Sequence, residues 1–247
     1  MSPWFTSFLV FVCLFGGALA GTVLRPRLPE SHLSAESREM VKMGTGLVAT
    51  MSALVLGLLV ASAKNSYDAQ KDGLTELASR VIMLDRSLAH YGPEVTPLRL
   101  GLKQVVLNGI DRVWNEGLGL GPGDASAEVL YDRLQELKPQ TDAQRTLLAQ
   151  ASDLMRAIAQ ERWLMYAQRS SSISLPLLVT VVFWLTINFV SFGLLTPRNA
   201  TVVVTLFVCA LSVSGAIFLI LEMDRPFSGI IQISNLPLRE VADHLGR

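Results

Sequence analysis

Residues 43–68, MGTGLVATMSALVLGLLVASAKNSYD, decide the fold that this chain can adopt. The first 21 of them, 43–63, include no Asp, Glu, Lys or Arg. At a rise of about 1.5 Å per residue, roughly 20 helical residues cross a hydrocarbon core of about 30 Å. The stretch then runs into Lys64 and Asp68 without a Gly or Pro to end a helix. It predicts one helix that crosses a membrane and continues unbroken beyond it.

Three other runs free of charged side chains predict three more spans. They cover residues 1–24, 170–195 and 199–221. A charged side chain at mid-membrane costs about 2.5–3.5 kcal/mol, so long runs without one are typical of membrane helices. We therefore predict an all-α integral membrane protein with four transmembrane helices in contact with a lipid bilayer.

Two features inside these spans indicate how the helices pack. Gly16 and Gly17 lie together in the first span and predict a face on which another helix approaches closely. Asn188 lies in the third span, where an amide facing lipid would be costly. We expect Asn188 to face another helix or water.

The composition argues against several classes of function. The 247 residues carry 21 basic and 21 acidic side chains, and this balance gives no field for nucleic acid. Cys13 and Cys209 each lie in an apolar run and support neither a zinc site nor a disulfide framework. The Gly-rich loop GLGLGPGD at 117–124 lacks the glycine order of a nucleotide-binding motif. We expect no cofactor, no metal and no nucleic-acid partner.

Residues 64–170 predict a helical soluble module between the second and third spans. Apolar residues recur there at alternating spacings of three and four: Leu74, Leu77, Val81, Leu84, Leu88 and Tyr91. Such a heptad seam packs on other helices, and Gly92-Pro93 should end the helix that bears it. The module's carboxylates are scattered and His90 is its single histidine, so no catalytic residues are indicated and an enzyme is not expected.

The chain thus divides into four predicted segments. Residues 1–63 hold the first two transmembrane helices, 64–170 the module, and 171–221 a transmembrane hairpin. Residues 222–247 form a tail that packs on the module or on a neighbouring subunit. Lys and Arg near the membrane ends number eight on the module side and five on the other, which weakly favours a cytosolic module. The basic residues of the short connection between the first two spans favour the reverse orientation.

One stripe of the second span admits two interpretations. Thr50, Leu54, Leu58 and Ser62 recur every four residues and therefore lie along one side of the helix. Leucines at this spacing most often pack against a neighbouring helix. Repeated around a symmetry axis, the same stripe would form a hydrophobic constriction that gates an ion path by dewetting.

Two segments resemble the bestrophin ion channels. VLGLLVASAKNSYDAQ (55–70) is similar to the second membrane helix of that family, with its apolar Val-Leu-Gly segment, basic residue and aromatic position. LEMDRPFSGIIQISNLPL (221–238) is similar to the segment after the last membrane helix, where acidic residues precede Pro-Phe and, later, Leu-Pro-Leu. Over nearly all of its length, the chain resembles a bacterial bestrophin-like family of unassigned function.

The resemblance implies a homo-oligomeric channel in a bacterial inner membrane. Bestrophins are pentamers that conduct mostly anions, and their second helix lines a narrow hydrophobic neck. On this chain the neck positions fall on Thr50, Leu54 and Leu58, the stripe that spacing also selects.

Two further groups of residues follow from the resemblance, and both depart from the family pattern. The motif at the pore exit is reduced to Lys64, Tyr67 and Asp68, since the tryptophans of bestrophins are missing. The acidic cluster that forms a calcium clasp is thinned to Glu222 and Asp224. The sequence leaves one other function open: a non-conducting membrane sensor or scaffold whose heptad seam recruits a partner or stabilises assembly.

Overall fold

The described part of the chain is built of α-helices. The computed structural model describes residues 2–29, 34–115, 125–168, 173–197 and 199–246. Eight α-helices follow one another in these ranges: α1 Pro3–Leu24, α2 Ala35–Tyr91, α3 Thr96–Ile110, α4 Ala125–Gln135, α5 Asp142–Ala167, α6 Leu175–Leu195, α7 Ala200–Met223 and α8 Leu236–His244. Short 3-10 turns lie at Arg25–Arg27 and Pro93–Val95, and a π-helical turn follows α3 at Asp111–Asn115. The described ranges include no strand. The Gly-rich loop at 117–124 lies outside them.

Four of these helices, α1, α2, α6 and α7, are long and apolar enough to cross a membrane. They correspond to the four charge-free runs, and the predicted all-α membrane fold is confirmed. As predicted, α2 continues past Lys64 without interruption and ends at Tyr91. Gly92 follows with φ 146°, a value that residues with a Cβ rarely adopt, and Pro93 comes next. The chain forms two compact units, Met1–Asn65 with Ser172–Asp224, and Ser66–Ser171 with Arg225–Arg247.

The first unit, which we call the membrane unit, packs α1 against α6 and α7. Its core is apolar and includes Leu14, Val181 and Ile217, which are fully buried. Asn188 is buried in the same unit and donates a hydrogen bond from Nδ2 to the Trp184 carbonyl at 3.0 Å. The expectation that Asn188 avoids lipid is confirmed.

Glycines set the distance between α1 and α6, although not the full pair that the sequence selects. A Cβ at Gly17 would lie 3.2 Å from side-chain carbons of Thr186 and Val190, so Gly17 takes part. A Cβ at Gly16 would meet nothing within 4 Å, because Gly16 faces away from this contact. The closest approach is at Gly21 and Gly193, where an added Cβ would overlap backbone atoms of the facing helix.

The second unit, which we call the module, has its own apolar core. All six positions of the heptad seam between Leu74 and Tyr91 are buried there, as their spacing predicts. They pack with apolar residues of α3 and with Leu238, Val241 and Ala242 of α8. The seam is therefore occupied by helices of the same chain.

The segment after α7 is fastened to the π-helical turn. Trp114 donates a hydrogen bond from Nε1 to the Ile233 carbonyl at 2.8 Å. Its ring meets Phe227 edge-on, with centroids 5.5 Å apart. The Ile233 amide in turn donates to the Pro226 carbonyl at 2.7 Å and closes the loop between them. In this chain the tail therefore packs on the module, one of the two partners that the sequence left open.

Candidate functional site

The first half of α2 buries less of its surface than the other candidate spans. Within the described residues, 17% of its most apolar stretch is buried, against 33%, 28% and 28% for α1, α6 and α7. The buried side holds Ser52, Leu59 and Ala63, and the last two belong to the core of the membrane unit. Most of the circumference of this half of α2 is uncovered by the rest of its own chain.

The predicted stripe lies on the uncovered side. Leu54 is 75% exposed and Leu58 is 61% exposed, and Thr50 is exposed one turn earlier. Ser62, at the far end of the stripe, is half-buried. These four residues share one side of α2 because they recur every four positions, and that side makes an apolar surface with hydroxyls at both ends.

The Thr50 hydroxyl is already satisfied within its own helix. Its Oγ1 donates to the carbonyls of Gly46 and Leu47, which lie 3.0 and 2.8 Å away. A hydroxyl bonded in this way can face an apolar environment at little cost. Thr50 by itself therefore does not require water on this face.

Two glycines make the uncovered side of α2 shallow. A Cβ placed at Gly46 or at Gly57 would meet nothing within 4 Å. Small residues at such positions let another helix backbone approach closely in a bilayer. This side of α2 therefore combines an apolar stripe with room for a neighbouring helix.

The residues of the predicted pore exit are divided between the two units. Lys64 is exposed at the end of the α2 segment that belongs to the membrane unit. Tyr67 and Asp68 belong to the module and are half-buried, and Tyr67 packs against the module's apolar core. Tyr67 thus has a packing role in the module.

Glu222 and Asp224, the two predicted clasp residues, lie at the end of α7. Glu222 is buried and Asp224 is half-buried at the C-cap. Throughout the ranges that the structure describes, no three His, Cys, Asp or Glu side chains converge where they could hold a metal ion. Among the described residues, Glu222 and Asp224 therefore have no third such side chain with which to hold a metal ion.

Sequence reasoning missed a buried ion pair in the module. Asp85 of α2 accepts hydrogen bonds from Nε and Nη2 of Arg99 of α3, at 2.7 and 2.8 Å. The Asp85 side chain is 8% exposed and the Arg99 side chain 14%. The hydrogen bonding of Arg99 to the Asp85 carboxylate raises the pKa of Arg99 above its usual value, while burial acts against this. A charged residue directly after the seam position Leu84 was the available signal, but the sequence does not identify its partner.

The ion pair lines a cavity of about 560 Å³ between α2, the start of α3 and α8. Arg86, Glu240 and His244 also line it, together with apolar side chains such as Ile82. Acidic and basic groups are nearly balanced around this cavity. Its lining therefore selects neither anions nor cations on charge.

A family model described as a Bestrophin-like domain matches residues 12–238 of the chain. The match includes all four candidate spans, apart from the first residues of α1, and nearly all of the module. No curated protein and no solved structure matches the chain significantly.

Proposed function

Because the chain belongs to the bestrophin-like family, we propose that it forms a homo-oligomeric ion channel in which α2 of every subunit lines the pore. Anions are the permeant class, in keeping with the resemblance of residues 55–70 and 221–238 to bestrophins. The four spans cross a bacterial inner membrane, and the module lies on the cytosolic side, where the excess of Lys and Arg favours it.

The observation that carries this proposal is the uncovered apolar stripe of α2. Repeated around an axis, Leu54 and Leu58 would form two apolar rings, and Thr50 would form a ring of small residues beside them. Such rings offer an ion no binding site and do not replace the water of its hydration shell. They therefore set a hydration barrier that controls conduction. No charged side chain lies in this stretch, in agreement with control by dewetting.

A leucine stripe can also be covered by lipid. The small residues beside this one favour contact with a neighbouring protein helix instead. Gly46 and Gly57 are open to close approach, and α2 is the least covered of the four candidate spans. Packing of small residues is a principal source of helix association in bilayers, where lipid tails are as apolar as leucine. These features support neighbouring copies of α2 around a shared axis.

The sensor or scaffold alternative relied on the heptad seam as a surface for a partner. That seam is buried in the core of its own module. It therefore presents no surface to a partner protein in this fold. This supports the channel over a sensor or scaffold that recruits a partner through the seam.

The proposal is tested by ion flux in liposomes that contain the purified protein. We expect chloride flux above that of empty liposomes, from a preparation whose mass in detergent is that of an oligomer. Leu58→Ala should increase the flux, since the smaller ring lowers the hydration barrier. A fall of about 1.4 kcal/mol in that barrier would increase the rate about tenfold.

Leu211→Ala is the matched control for this experiment. Leu211 is an exposed leucine of α7. Its substitution removes the same side-chain atoms as Leu58→Ala, at a position outside the proposed pore. Its flux should equal that of the unmodified protein. Flux at the level of empty liposomes, or a monomeric mass in detergent, would contradict the channel.

A further inference from the structure

The last turn of α5 presents aromatic side chains on its outer surface. Trp163 is 55% exposed and Tyr166 is 41% exposed. Their rings lie side by side, with centroids 5.7 Å apart. Leu164 beside them is also exposed, whereas Met165 is buried in the core of the module and fixes this turn in place.

The same side of α5 is polar in the turns that precede this one. Asp153, Arg156 and Gln160 are exposed there, and Ala159 between them adds only a methyl group. The three polar residues precede Trp163 at spacings of ten, seven and three and therefore lie on its side of the helix. The outer surface of α5 thus changes from polar to aromatic only in its last turn. Water surrounding the whole helix would give no reason for this change.

A short connection joins this turn to a candidate span. Leu175 lies nine residues after Tyr166 and is the first residue of α6, one of the four candidate spans. A fully extended chain of nine residues reaches about 30 Å. The aromatic turn is therefore tethered within this reach of the first residue of α6.

Tryptophan and tyrosine are suited to the boundary between lipid and water. Each has a large apolar ring with one polar N–H or O–H group, and both are enriched where membrane helices meet the headgroups. Leu164, about 100° around the helix from Trp163, is a further exposed apolar side chain of this turn. The chemistry of the exposed group thus matches the headgroup region better than it matches bulk water.

We propose that Trp163, Leu164 and Tyr166 form a lipid-binding site on the module, seated among the headgroups of the membrane that α6 crosses. The site anchors the end of α5 to the bilayer surface, outside the spans themselves. It does not depend on ion conduction, and its failure would leave the channel proposal untouched.

Fluorescence quenching in vesicles tests this site. The unmodified protein and Trp163→Phe are reconstituted into phosphatidylcholine vesicles, with or without lipid brominated near the headgroup. Subtracting the emission of Trp163→Phe from that of the unmodified protein gives the fluorescence of Trp163. We expect brominated lipid to quench this component, and iodide present on both sides of the membrane to quench it weakly.

Trp114→Phe supplies the reference. The Trp114 indole is bonded to the Ile233 carbonyl inside the module, so brominated lipid should scarcely affect its component of the emission. Quenching of Trp163 by brominated lipid no greater than that of Trp114 would overturn the proposal. Iodide would then show what replaces lipid: strong quenching means water, and weak quenching means a protein surface such as a second copy.

Discussion

At the scale of single residues, the Asp85–Arg99 pair holds two opposite charges where little water reaches them. Removing both charges from water is costly, and two charge-assisted hydrogen bonds offset that cost only while both partners are present. The pair joins α2 to α3 next to the heptad seam. The pair therefore links α2 to α3 by two hydrogen bonds within the module.

We expect Asp85→Ala to destabilise the protein by about 3 kcal/mol, since it removes the carboxylate that accepts two hydrogen bonds from the largely buried Arg99. The measurement is thermal unfolding of the full chain in detergent. Asp153→Ala is the control, because it removes a carboxylate whose ion pair with Arg156 is exposed. Such pairs contribute at most about 1 kcal/mol. Equal unfolding temperatures for the two variants would contradict this account of the Asp85–Arg99 pair.

At the scale of helices, the contact between α1 and α6 depends on the absence of side chains. Gly21 would meet the carbonyl of Val190 if it carried a Cβ, and Gly193 would meet that of Ala18. Helix association in a bilayer draws on such close packing because apolar burial gives little driving force there. The two glycines therefore determine how closely α1 and α6 pack.

Gly193→Ala should lower stability by about 1–3 kcal/mol, the usual cost of overpacking, because its Cβ would force the backbones of α1 and α6 apart. Gly16→Ala is the matched control on α1, since its Cβ would meet nothing within 4 Å and alanine favours a helix. The unfolding temperature of both variants in detergent gives the comparison. If the unfolding temperature of Gly193→Ala is no lower than that of Gly16→Ala, glycine packing does not hold α1 against α6.

Features that are local in the sequence could be predicted from it. Long runs without charged side chains predict the spans. Apolar residues at alternating spacings of three and four predict the buried seam, and Gly92-Pro93 predicts the end of α2. The pairs Gly21–Gly193 and Asp85–Arg99 could not be predicted, because each joins helices whose pairing the sequence does not encode in any local pattern. Gly16 and Gly17 look equivalent as neighbours, but about 100° of helical rotation places only Gly17 against α6.

At the scale of the whole molecule, the proposed channel depends on what covers the open side of α2. The stripe of Thr50, Leu54 and Leu58 was predicted from spacing and from the bestrophin resemblance, and it lies on the uncovered side. Sequence patterns could not separate a pore from ordinary packing, because leucine spacing is the same in both. In the proposed channel, water and ions pass along this side of α2 in the assembled protein.

Cysteine accessibility tests that claim most directly. Leu54→Cys is made in a chain whose own thiols are removed by Cys13→Ala and Cys209→Ala, and chloride flux is measured before and after a small charged thiol reagent. We expect the reagent to change the chloride flux of the Leu54→Cys protein and to leave that of Leu211→Cys, at an exposed position of α7, unaffected. A Leu54→Cys protein that conducts chloride and is unchanged by the reagent would contradict a pore lined by α2.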